Sequence, residues 1–141
     1  MAMKDMNKEH KMFIALLFGQ LSIAAVFRLM TDPELQDKAL DMYWIFGLIF
    51  MVSCYLLANR FRQGNQRLLE GSPEATTSLY QQLQSKFILR LALMEGSVLV
   101  NLVLSFVMHN DYLMFNALGG MMLYVLLKQS PEEKVFFDQF K

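Results

Sequence analysis

Four apolar runs, at 12–30, 43–59, 87–108 and 112–127, constrain this 141-residue chain more than any other feature. The first is uncharged up to Arg28, the second and fourth carry no charge, and the third holds only Arg90 and Glu95. A helical membrane span needs about 20 mostly apolar residues. The first and third runs reach that length. Interfacial residues extend the other two: Met42, Tyr43 and Trp44 at one end, Tyr112 and Tyr124 at the other. Helices that are apolar all round leave a short chain too little polar surface for a soluble bundle. Hydrophobic residues make up 55% of the chain and charged ones 18%, more apolar than an ordinary soluble domain. The expectation is an all-α fold, an integral membrane four-helix bundle forming a single domain over 1–141.

Lys and Arg in the flanks set the orientation. Lys4, Lys8 and Lys11 precede the first span. Arg60, Arg62, Arg67 and Lys86 lie between the second and third, and Lys128, Lys134 and Lys141 follow the fourth. The opposite side holds a mainly acidic stretch at 32–41 and the short turn 109–111. Both termini and the middle loop are therefore expected to be cytoplasmic, with Arg28 snorkelling outward. The first run is longer than a signal-peptide core and lacks a clear small-residue cleavage site, so it is expected to stay in place.

The chain reads as two helical hairpins in tandem. "ALLFGQLSIAAVF" (15–27) aligns with "ALMEGSVLVNLVL" (92–104), and "LLEGSPEA" (68–75) with "LLKQSPEE" (126–133). Ala15 with Gly19, and Ala92 with Gly96, each form a small-x-x-x-small element, which lets membrane helices approach closely. Both hairpins run in the same direction, so the repeats are parallel. Inverted repeats mark many alternating-access transporters.

All three prolines sit in one context, Asp32-Pro33-Glu34, Ser72-Pro73-Glu74 and Ser130-Pro131-Glu132. A capping residue, Pro at the first helical position and an acid in the first turn make a helix start. Ser130 and Glu133 have capping-box spacing. A helix is thus expected to start at Pro73 and run into the third span. A short amphipathic C-terminal helix should follow Pro131, lying on the membrane surface or packing under the bundle, with docking to a partner as the alternative.

Glu95 is the one acid inside the spans. It lies roughly 13 Å into the third, at 1.5 Å per residue, near mid-membrane. A charge there costs about 2.5–3.5 kcal/mol on insertion scales. Arg90 is five positions away, roughly 140° around the helix, so a direct pair is not expected. Ser97, Asn101 and Ser105 form a polar stripe on the other face, suited to gluing helices together. Gln20 and Asn116 are candidate hydrogen-bond partners for Glu95 from neighbouring spans. Glu95 reads either as a proton or cation site or as a hydrogen-bonded carboxyl that fixes helix register. Cys54 is expected to be a small apolar filler. Met94, Met108, Met114, Met121 and Met122 are expected to pack rather than to bind a soft metal.

Two resemblances bear on these residues. "EGSVLVNLVLSFVM" (95–108) resembles the ion-binding helix of rotary ATPase ring proteolipids of the c and K types. That resemblance implies Glu95 as the ion-carrying acid, with Gln20 and Ser97 as co-ligands. Over most of the chain, "LRLALMEG", the "HND" turn and the "SPEEKVFFDQF" tail resemble small four-span membrane proteins of Bacteroidota. This implies the same architecture in a bacterial cytoplasmic (inner) membrane.

Several classes are disfavoured. Thirteen basic residues balance thirteen acidic ones, so nucleic acid is not an expected partner. One Cys permits no intrachain disulfide, and two His far apart suit no zinc site. No nucleophile–base pair, phosphate loop or paired carboxylates can be read from spacing, so neither enzyme chemistry nor a metal or cofactor is expected. The leading expectation is a non-enzymatic membrane protein acting by association, with lipid and other membrane subunits or itself as partners. The second is a proton- or ion-coupled element centred on Glu95, and the third a lipid-binding protein or membrane enzyme.

Overall fold

The computed structural model describes residues 6–30, 42–71, 76–108 and 112–140. Five helices are present among them: α1 (Lys8–Met30), α2 (Met42–Gly71), α3 (Thr77–Met108), α4 (Tyr112–Leu126) and α5 (Pro131–Asp138). Side chains start three of them. The Asn7 Oδ1 accepts the His10 amide at 2.8 Å, and the Thr76 Oγ1 accepts the Leu79 amide at 3.2 Å. Ser130 and Glu133 form the expected capping box on α5. The Asp32-Pro33-Glu34 and Ser72-Pro73-Glu74 starts lie outside the described residues.

The helices α1, α2 and α3 are long and apolar enough to cross a membrane, and the apolar α4 is shorter. At 15 residues α4 spans about 22 Å, less than the roughly 30 Å of a hydrocarbon core. The second helix departs from expectation in the other direction. It continues to Gly71, well past the apolar run that ends at 59. Its polar second half has structure to hold it: Ala58 and Asn65 are fully buried, and the Asn65 Nδ2 donates to the Leu83 carbonyl on α3.

The directions follow from the contacts. Glu9 near the start of α1 meets Tyr80 and Gln84 of α3, and Phe27 near its end stacks on Phe106 at 5.4 Å. So α1 and α3, which carry the repeated sequence, lie side by side and parallel. Contacts from Gly47 to Asn101 and from Asn65 to Leu83 make α2 antiparallel to α3. Trp44 to Asn116 and Arg62 to Leu126 make α2 parallel to α4.

One stripe of α3 forms the core. Leu83, Phe87, Arg90, Leu91, Met94, Ser97, Val98, Asn101 and Leu102 are all fully buried. Many large hydrophobic side chains also face outward. Leu29 is 86% exposed and Met122 73%, and Phe18, Phe46, Ile49, Leu56 and Phe115 are also exposed. Exposed apolar surface on this scale needs lipid or protein to cover it. Tyr124, expected at the interface, is instead fully buried. Its ring stacks on Phe13 at 4.8 Å and its hydroxyl donates to the Phe13 carbonyl at 2.9 Å.

Candidate functional site

The densest polar chemistry lies where α4 ends. The last turn of α4 tightens, with the Leu127 amide bonded to the Tyr124 carbonyl and the Lys128 amide to the Val125 carbonyl. That leaves the final carbonyls of the helix to find other donors. Two arginines supply them. The Arg90 Nε donates to the Leu127 carbonyl at 3.0 Å and its Nη2 to the Lys128 carbonyl at 3.2 Å. The Arg62 Nη1 donates to the Leu126 carbonyl at 3.2 Å. Cations are also favoured at a helix C-terminus by the helix dipole.

Arg90 uses its remaining donors on Glu133 of α5. Its Nη2 reaches Oε1 at 2.9 Å and its Nη1 reaches Oε2 at 3.0 Å, a bidentate pair with both side chains fully buried. The carboxylate is satisfied on both oxygens. Oε1 also accepts the Ser130 amide at 3.1 Å, and Oε2 accepts the Asn65 Nδ2 at 2.8 Å. The Arg90 guanidinium lies 4.6 Å from the centroid of the Phe87 ring. One buried ion pair thus ties α3, the end of α4, α5 and, through Asn65, α2.

Two smaller clusters secure the same end. Asn7 and Gln129 exchange amide hydrogen bonds at 3.1 and 2.8 Å, and the Asn7 Nδ2 also donates to Asp138 at 3.0 Å. Glu9, also buried, accepts from the Tyr80 hydroxyl and from Gln84. Tyr80 in turn stacks on Phe140 at 4.5 Å and meets Phe137 edge-on. The C-terminal helix therefore packs under the bundle, with Phe136 and Phe137 buried.

The residues singled out by sequence lie elsewhere. Glu95 is half-buried and has no hydrogen-bond partner among the described residues. Gln20 is fully buried, and neither its Oε1 nor its Nε2 has a partner among the described residues. Ser97 faces away from Glu95 and donates to the Met94 carbonyl at 2.9 Å. No hydrogen bond joins Glu95, Gln20 and Ser97. Asn116, a candidate partner for Glu95, donates to the Trp44 carbonyl at 3.1 Å instead. No cluster of three or more His, Cys, Asp or Glu side chains suited to a metal occurs among the described residues.

The Ser97/Asn101/Ser105 stripe faces inward toward α2. The Asn101 Nδ2 donates to the Ser97 carbonyl at 2.9 Å and the Gly47 carbonyl at 3.3 Å, while the Ser105 hydroxyl is buried with no partner among the described residues. The small-residue elements face the other way. Ala15, Gly19 and Ala92 are exposed and Gly96 is half-buried. A Cβ added at Gly19 or Gly96 would meet nothing within 4 Å. The close helix approaches occur at two other glycines. A Cβ at Gly47 would overlap the Asn101 Oδ1, and one at Gly120 would come within 2.8 Å of the Val98 Cγ2.

The Arg90–Glu133 pair was missed because its two halves are far apart in the chain. The signal was present: an arginine in an apolar span with no partner on its own helix, and a tail acid read only as a cap. Fold and site define an all-α bundle of apolar helices closed at one end by a buried ionic clamp. No family model, curated protein or solved structure matches the chain.

Proposed function

We propose that this chain is a non-enzymatic protein of a bacterial cytoplasmic membrane that works by association, as an accessory subunit of a membrane complex or as a homo-oligomer. Both termini and the clamped end lie on the cytoplasmic side. The observation that carries this reading is the outward placement of the two small-residue elements. Gly19 and Gly96 have open space where a Cβ would stand, and Ala15 and Ala92 are exposed beside them. Such elements let helices from different chains approach closely in lipid. A groove of about 550 Å³ between the end of α2 and α5, lined in part by Leu69, Glu70, Glu132 and Val135, offers a second surface at the clamped end.

Replacing Gly19 or Gly96 with Leu tests the reading, because a Cβ at either position has open space within 4 Å. The expected result is a folded monomer with an unchanged unfolding temperature and loss of its assembly in mild detergent. Assembly that survives both replacements contradicts the proposed face.

A further inference from the structure

Glu95 has no hydrogen-bond partner among the described residues, and it lies half-buried on the stripe of α3, shared with Tyr80, Gln84 and Phe106, that meets α1. On α3, Ala92 one turn before it and Val103 two turns after it are exposed, and Gly96 beside it is open. The parallel register of α1 and α3 is fixed at one end by Glu9 with Tyr80 and Gln84, and at the other by Phe27 with Phe106. Between those anchors Glu95 lies level with about residues 16–20 of α1, within a turn of Gly19, Ala92 and Gly96. A carboxylate within an apolar span is costly unless a cation or donor reaches it.

We propose that this α1/α3 face docks a transmembrane helix of a partner protein, one that presents a Lys or Arg side chain at mid-membrane depth and small residues around it. The inference rests on the association reading and adds what the partner must carry. Charge complementarity selects the occupant. A second copy offers no such base at this depth, because Arg90 is fully buried on Glu133 and Arg28 lies near the far end of α1. A small-residue face brings the backbones close, and the ion pair then forms in a medium where unpaired charges are disfavoured.

The test uses the full chain, labelled with a donor fluorophore and reconstituted in phosphatidylcholine vesicles. Acceptor-labelled Leu/Ala transmembrane peptides, each with one Ala-x-x-x-Gly face, carry a central Lys, a central Leu, or a Lys moved to one end. The central-Lys peptide is expected to associate at least about ten-fold more tightly than the other two. That advantage should vanish in Glu95→Gln, whose unfolding temperature should match that of the unchanged protein. Equal association of all three peptides overturns the inference, as does an advantage that persists in Glu95→Gln. If the three associate equally and Gly96→Leu abolishes all of it, association through this face stands and only the charge pairing fails. Energy transfer between copies of the chain that disappears in Glu95→Gln indicates carboxyl contact between copies and also overturns it.

Discussion

Glu133→Ala should destabilise the bundle by about 3–5 kcal/mol and release α5. The substitution leaves the Arg90 guanidinium fully buried, with two donors aimed at empty space and its charge uncompensated. It also removes one of the two acceptors of Asn65 Nδ2 and one half of the α5 capping box. Breaking one partner of a buried pair costs more than the pair itself contributes, because the desolvation of the survivor is no longer offset. Replacing both partners, as in Arg90→Met with Glu133→Leu, should therefore recover much of the loss. The Arg90 bonds to the Leu127 and Lys128 carbonyls would still be missing, so recovery should be incomplete. Thermal unfolding in detergent reads the stability. Trypsin cleavage at Lys134, exposed on α5, reads the release: fast in Glu133→Ala, slow in the unchanged protein. Equal stability of the single and double variants would mean that the charge is not what holds the tail.

Gly47→Leu should disrupt the α2–α3 seam. Even a methyl group at that position overlaps the Asn101 Oδ1 and approaches the Leu113 Cδ2 to 3.0 Å. Asn101 is fully buried and bonded to the Gly47 carbonyl, so moving it aside breaks a bond between helices. Overpacking of this kind costs about 1–3 kcal/mol for a few added methylenes, and the lost bond adds about 1 kcal/mol. Gly120→Leu should behave similarly against the Val98 Cγ2 and the Met51 Sδ, 3.0 Å away. Gly19→Leu and Gly96→Leu should leave the unfolding temperature where it was. The four glycines thus separate packing within the chain from packing between chains, in one set of melting curves. Similar destabilisation at all four positions would contradict that division.

Much of the architecture was legible because lipid-length apolar runs are hard to mistake. Four runs produced four helices, and the Ser130-Pro131 cap fell where its residues said it would. The end of α2 was not legible. Residues 60–71 are polar, and what keeps them helical is the start of α3 and the docked α5, contacts no local pattern contains. The register between α1 and α3 was latent in the repeat but needed Glu9 and Phe106 to become visible. The small-residue elements were legible as faces, though which helix they served was not; the short range of a Cβ contact assigned close packing to Gly47 and Gly120. The clamp was hidden for a similar reason. Arg90 and Glu133 are 43 positions apart, and only folding brings a tail acid to an arginine in α3.

Association is most directly tested by the native mass of the protein released from its own membrane in mild detergent. Association through the α1/α3 face requires a mass well above that of the 16.4 kDa chain, either a multiple of it or the sum with a defined second subunit. A single 16.4 kDa species carrying only lipid, under conditions that preserve other membrane complexes of the same preparation, would contradict it.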